Sequence, residues 1–136
     1  MPSKPESRFI DRIHRKLNKD IYKQAMGLTA VNGTPDYYYE GNAGHIWVEY
    51  KWYDNKPTYV DLCDTGKKPN LSKLQQHWLN RAYHNKQPIA VVAGFPKGCL
   101  IFINDEWKMH LTDPIVIDLF TTTEESWVDS LNDLNL

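Results

Sequence analysis

Three polar side chains, those of Asp36, Glu49 and Lys51, have types and positions that could support catalysis. Residues 45–52 alternate in the manner of a β-strand, which places Glu49 and Lys51 on one face of a strand that is otherwise apolar enough to be interior. A hairpin between residues 36–40 and this strand would bring Asp36 close to Glu49. The sequence therefore predicts two carboxylates and an amine at one point of a sheet.

Such a group has a ready chemical use. Two neighbouring carboxylates resist ionising together unless a cation neutralises them, and oxygen ligands without Cys or His suit Mg²⁺ or Mn²⁺. The ion can polarise a phosphodiester oxygen and lower the pKa of a bound water, while a lysine beside it orients that water or balances developing charge. The alternative is a surface Glu–Lys pair on an edge strand, with Asp36 only capping a turn.

The surrounding pattern predicts a mixed α/β layer structure with both parallel and antiparallel strands. Turn chemistry at residues 32–35 and 41–44 brackets the hairpin, and residues 53–70 form a long polar loop. Apolar periodicity and caps place the elements, in chain order, at helix 4–18, strand 21–26, strand 36–40, strand 45–52, helix 71–85, strand 89–93, strand 99–103, strand 107–111 and helix 124–131.

Length and composition are those of one ordinary globular domain: 136 residues, 41% hydrophobic and 24% charged. We expect no transmembrane helix and no secretory signal, because no long apolar run is present. The two cysteines, Cys63 and Cys99, are far apart and form no CxxC motif. This argues against a zinc ribbon or a disulfide scaffold and favours a reducing cytoplasm.

Charge is distributed unevenly along the chain. Basic and acidic residues number seven and three in residues 1–25, eight and six in 26–99, and one and eight in 100–136, so +4, +2 and −7 sum to the net charge of −1. A basic front could contact phosphates, whereas an acidic tail would lie away from them or fold back over the site. Solvated charged faces are the alternative.

The order and spacing of these residues resemble the PD-(D/E)XK nuclease superfamily. Pro35-Asp36 is followed thirteen residues later by Glu49 and then by Lys51 on an apolar strand. Residues 71–79 and 88–94 look like the glutamine helix and next strand of the VRR-NUC branch, and Asn32-Gly33-Thr34-Pro35-Asp36 fits the entry motif of that branch. The resemblance spans about residues 6–103, and the acidic extension after about 104 has no counterpart. It implies a restriction-endonuclease-like core, a central mixed β-sheet flanked by helices.

The resemblance also implies roles. Asp36 and Glu49 match metal-binding carboxylates, the backbone carbonyl of Tyr50 completes the metal shell, and Lys51 matches the catalytic lysine. Gln75 matches a helix glutamine near the site.

Two further polar residues have competing interpretations. Relatives often place an acidic residue on the first helix facing the metal, and Glu6 lies on the apolar face of helix 4–18. Glu6 is equally explained as the partner of Ser3 in a capping box, and Gln75 as the partner of Ser72 in another.

Taken together, the resemblance implies a Mg²⁺-dependent endonuclease, with Mn²⁺ as a substitute, that hydrolyses phosphodiester bonds in branched DNA or Holliday junctions. We expect a homodimer with no membrane partner, in the cytoplasm of a bacterial or phage-infected host cell. Arg12, Arg15, Lys16, Lys67 and Lys68 are candidate phosphate contacts. The alternatives are a non-specific or mismatch-directed nicking nuclease, a site-specific restriction enzyme, and a catalytically silent DNA-binding module.

The tyrosines and the tail leave two further questions open. The run Tyr37–Tyr39 could stack on bases or simply form a good strand. One hypothesis for the tail is that residues 112–136 pack across a second subunit.

Overall fold

The computed structural model of the chain describes residues 3–27 and 32–135, which form four helices, eight strands and a short 3-10 turn. In chain order these are α1 (Lys4–Lys16), β1 (Tyr22–Ala25), β2 (Tyr37–Glu40), β3 (His45–Trp52), β4 (Val60–Asp61), α2 (Lys73–His84), β5 (Ile89–Phe95), β6 (Gly98–Ile103), the 3-10 turn Glu106–Lys108, β7 (His110–Leu111), α3 (Pro114–Leu119), β8 (Thr121–Thr122) and α4 (Glu124–Asn132).

Six strands form one mixed sheet in the order β1-β2-β3-β5-β6-β8, and β4 pairs with β7 in a separate two-stranded sheet. The contact between β3 and β5 is parallel, with α2 as the crossover, and the other pairings of the large sheet are antiparallel. In the β2–β3 hairpin Tyr37 is opposite Val48. One further step of that register puts Asp36 opposite Glu49, as the turn chemistry predicts.

The alternation of β3 divides its side chains between two cores, one on each face of the sheet. Val48 and Tyr50 pack with α1 and α4, in a cluster that includes Phe9 and Trp127. Trp47 packs on the other face, in the cluster that takes residues from α2 and α3. β5 is buried along its whole length, as expected for the centre of a sheet covered on both faces. Glu49 and Lys51 therefore project to the α2 side.

A chain of hydrogen bonds crosses the first core and holds Tyr50. The Trp127 Nε1–H donates to the Tyr50 hydroxyl at 3.1 Å, the Tyr50 and Tyr39 hydroxyls are 2.8 Å apart, and Tyr39 is 2.8 Å from His14 Nε2. Since an indole only donates, the Tyr50 hydroxyl accepts from Trp127, and the chain of contacts continues from Tyr50 through Tyr39 to His14. Burial lowers the pKa of His14 to about 4, with a smaller contribution from the charge of Lys23, so the ring is neutral near pH 7.

The acidic tail packs on its own chain. β8 pairs with β6 as the sixth strand of the sheet, and α4 lies against α1. Arg12 makes a bidentate contact with Glu124, with Nη2–Oε1 at 2.6 Å, and Lys16 pairs with Glu125 at 2.9 Å. These contacts tie the tail to the sheet and to α1 of its own chain, and its packing across a second subunit stays a hypothesis.

Several predicted boundaries are wrong. The region predicted as strand 107–111 is a 3-10 turn followed by the two-residue strand β7, and the polar loop 53–70 contains β4. The helix α3 and the strand β8 were not predicted. The N-cap of α4 is Thr123, whose side chain accepts from the backbone N–H of Ser126. In the described ranges no helix is long and apolar enough to cross a membrane.

Candidate active site

A cleft of about 990 Å³ opens along the α2 side of the hairpin, where the N-terminal ends of α1 and α2 approach β3. All five residues predicted to act in catalysis line it: Glu6, Asp36, Glu49, Lys51 and Gln75. The structure therefore brings together residues separated by as much as 69 positions in the sequence. Gln24 and Asn70 also line the cleft, although nothing in the sequence pattern marked them.

Asp36 is fixed at the start of the hairpin. Its Oδ2 accepts the backbone N–H of Tyr50 at 2.9 Å, and its own carbonyl accepts the N–H of Met26 at 2.8 Å. The turn that delivers it depends on Gly33, which has φ +81° and lies so close to the backbone of Leu74 that a Cβ has no room. The glycine thereby sets the entry of the hairpin against the first turn of α2.

Among residues 3–27 and 32–135, Glu49 is the one charged residue that is buried, with 3% of its surface exposed. Its Oε2 accepts the Gln75 Nε2 amide at 2.9 Å and lies 3.2 Å from Lys51 Nζ. Its Oε1 is buried with no hydrogen-bond partner among the described residues. A buried carboxylate oxygen without a donor is costly, so this atom is a candidate ligand position.

Gln75 has both of the roles considered from the sequence. It completes a capping box with Ser72, since the Ser72 side chain accepts the Gln75 N–H and Gln75 Oε1 accepts the Ser72 N–H at 2.9 Å. The same Oε1 accepts from Lys51 Nζ at 3.2 Å while Nε2 holds Glu49. The cap therefore orients the amide that joins the lysine to the carboxylate.

Glu6 also combines the two interpretations in part. Its backbone N–H donates to the Ser3 hydroxyl at 3.2 Å, so Ser3 caps α1 through Glu6. The Glu6 side chain lines the cleft. No return hydrogen bond from this carboxyl to the cap is present, which leaves the carboxyl facing the site.

Three of the carboxyls that line the cleft, those of Glu6, Asp36 and Glu49, have raised pKa values. Burial raises the pKa of Glu49 to about 8 and that of Glu6 to about 7, and in both cases the charge of Asp36 raises it further. Burial also raises the pKa of Asp36, against the opposing effects of the Tyr50 N–H and Lys51. Like charges confined in one poorly solvated cleft attract either protons or a cation.

The donor set fits a hard divalent cation. In residues 3–27 and 32–135 no three His, Cys, Asp or Glu side chains are close enough to hold one ion between them. Mg²⁺ requires less, because it usually keeps several waters and binds through one or two carboxylates. Asp36 and Glu49 supply two, and Tyr50, whose N–H is fixed by Asp36, lines the same cleft.

Other predicted contacts lie elsewhere. Arg12 and Lys16 form ion pairs with Glu124 and Glu125 of α4, and their contact with phosphates stays a prediction. Tyr37 and Tyr39 pack into the first core, so the tyrosine run forms a strand with two residues inward and Tyr38 on the opposite face. Lys68 does line the cleft.

The architecture, a central mixed sheet flanked by helices, matches the restriction-endonuclease-like fold expected from the sequence. Among solved structures the chain is similar to Hjc, a Holliday junction resolvase from the archaeon Archaeoglobus fulgidus, with a TM-score of 0.55. The match covers 95% of this chain and 99% of the resolvase, at 13% sequence identity. Because 95% of this chain lies within the match, most of the tail, for which the sequence suggested no counterpart, is included in it. No family model and no curated protein matches the chain.

Proposed function

We propose that this protein is a metal-dependent DNA endonuclease that hydrolyses phosphodiester bonds, selective for branched DNA such as a Holliday junction. The observation that carries the proposal is the cluster of Asp36, Glu49, Lys51 and Gln75 in one cleft, with a buried carboxylate oxygen left unpartnered. The fold similarity to a junction resolvase supports the choice of substrate.

Each residue has a part that its position supports. Asp36 and Glu49, with the Tyr50 carbonyl, would hold Mg²⁺ or Mn²⁺, which supplies Lewis acidity and an acidified water. Lys51, held 3.2 Å from Gln75 Oε1, provides a cation for the water or for charge that develops on phosphorus. Glu6 adds a third carboxyl close to the two ligands.

Junction selectivity and dimerisation belong to the same proposal. Resolving a four-way junction requires two paired cuts, which a two-fold symmetric dimer makes naturally. The order of motifs favours the VRR-NUC branch, whose small members act on DNA structure without a separate sequence-reading module.

The test is cleavage of a synthetic four-way junction and a linear duplex of matched sequence, with Mg²⁺, Mn²⁺ or EDTA. We expect junction cleavage that requires the metal, and loss of at least about a hundredfold in rate for Lys51→Ala, as for removal of one electrostatic catalyst. Lys19→Ala removes an exposed lysine outside the cleft and serves as the control.

The possible results separate the alternatives. Equal cleavage of the junction and the duplex would show a non-specific nuclease and contradict junction selectivity. Binding without cleavage under every metal would favour a silent DNA-binding module. Undiminished cleavage by Lys51→Ala would show that this cleft is not the active site.

A further inference from the structure

A second groove, of about 560 Å³, lies beside the catalytic cleft and shares Trp52 with it as a common wall. Its charged lining consists of Arg8, Arg12, Lys97, Glu124 and Glu125. None of these five residues belongs to the group proposed for catalysis, so the groove extends the cleft rather than repeating it.

The sheet topology explains why these residues meet. β3 and β5 run parallel, with Trp52 opposite Gly94, so the carboxyl end of β3 lies at the same sheet edge as the β5–β6 turn that carries Lys97. Phe9 of α1 packs over Gly94, where an added Cβ would be 2.8 Å from its ring. This contact sets the first half of α1, including Arg8, above the same edge.

Among the described residues, some charged side chains of this groove are already in ion pairs and others are not. Both oxygens of Glu124 accept from Arg12, and Glu125 is paired with Lys16. Arg8 and Lys97 are exposed, and neither forms an ion pair in the part of the chain that the structure describes. The acidic residues of α4 are therefore neutralised locally, and two unpaired cations remain.

We propose that this groove binds backbone phosphates of the DNA strand that passes through the catalytic cleft, with Arg8 and Lys97 as the phosphate contacts. The inference rests on the proposed function, since it requires DNA as the substrate. The DNA strand would then leave the cleft on the Trp52 side, between α1 and the β5–β6 turn. Phosphate contacts position the nucleic acid without reading its sequence.

The experiment measures the salt dependence of DNA binding by fluorescence anisotropy, with Ca²⁺ in place of Mg²⁺ to prevent cleavage. We expect Arg8→Ala/Lys97→Ala to reduce the slope of log K against log salt by about 2, and to weaken junction and duplex binding alike by about tenfold near 0.1 M salt. Arg8→Lys/Lys97→Arg keeps both charges and should retain the wild-type slope.

The matched control is Lys19→Ala/Arg81→Ala, which removes the same charge from exposed residues outside the cleft and the groove. An equal loss of slope in this control would overturn the proposal, because the effect would then reflect net charge alone. A wild-type slope in Arg8→Ala/Lys97→Ala, with cleavage of junctions intact, would overturn the groove while leaving the nuclease assignment in place. A wild-type protein that neither binds nor cuts DNA would overturn both.

Discussion

Glu49→Gln should stabilise the metal-free protein at high pH while abolishing its activity. The carboxyl of Glu49 has a folded-state pKa of about 8 against an ordinary 4.5, because burial and the charge of Asp36 disfavour ionisation. The folded chain therefore holds this proton more tightly than the unfolded chain does. As the pH rises from about 4.5 to about 8, the ionisation of Glu49 therefore lowers the free energy of unfolding. A neutral amide of the same shape avoids that loss.

The size of the effect follows from the shift. Each pKa unit corresponds to about 1.4 kcal/mol, so ionising Glu49 in the fold costs at most about 5 kcal/mol above pH 8. The amide keeps an oxygen for Gln75 and Lys51 but gives up the ion pair at 3.2 Å. We expect a net gain of about 1–3 kcal/mol at pH 8.5 and close to none at pH 4.5.

The assay is urea unfolding in EDTA at the two pH values, followed by tryptophan fluorescence. Asp129→Asn, which removes an exposed carboxylate of α4, is the control and should change little at either pH. Adding Mg²⁺ should raise the free energy of unfolding of the wild type at pH 8.5, through binding to the folded state, and should not stabilise Glu49→Gln in this way. Equal stability of wild type and Glu49→Gln at pH 8.5 would refute the argument that this buried carboxylate is strained.

Three further changes test the packing around the site. His14→Gln should flatten the loss of stability that the wild type shows as the pH falls from 6.5 towards 4, because the unfolded chain binds a proton at His14 more readily than the buried ring does; thermal melts across that range measure it. Trp127→Phe should cost about 1–2 kcal/mol in urea unfolding, since it removes the indole donor of the buried hydrogen-bond chain. Gly94→Ala should cost about 1–3 kcal/mol, because its Cβ would overlap the ring of Phe9.

Each of these three also has a result that would contradict it. If His14→Gln loses as much stability as the wild type between pH 6.5 and 4, another group titrates in that range. Unchanged midpoints for Trp127→Phe or Gly94→Ala would mean that the buried hydrogen bond, or the close approach of α1 to the sheet, contributes nothing to stability.

The centre of the site could be predicted from the sequence because its geometry is local. Period-two alternation puts Glu49 and Lys51 on one face, and the turn before β2 places Asp36 opposite Glu49. The Ser72 capping box fixes the first turn of α2, which carries Gln75. Each of these steps depends on neighbours within one hairpin or one helical turn, whereas the contacts of Gln75 with Glu49 and Lys51 also require the parallel crossover.

The rest of the molecule depends on contacts that a single sequence does not reveal. Glu124 meets Arg12 across 112 residues, and Trp127 meets Tyr50 across 77. The helix α3 has six residues and β8 has two, too short for a recognisable period. In α3 the apolar residues Ile115 and Leu119 are exposed, so this helix also lacks the pattern of a helix with one buried apolar face.

The hydrogen-bond chain that ends at Trp127 has a consequence for the order of assembly. The strand that carries the two candidate catalytic residues is held by a residue near the far end of the chain, so the site acquires its final rigidity only after that end has docked. Contacts of such long sequence separation form slowly, because the intervening loop must close first. A nascent polypeptide whose α4 has not yet left the ribosome would therefore carry the two acids and the amine without a finished active site.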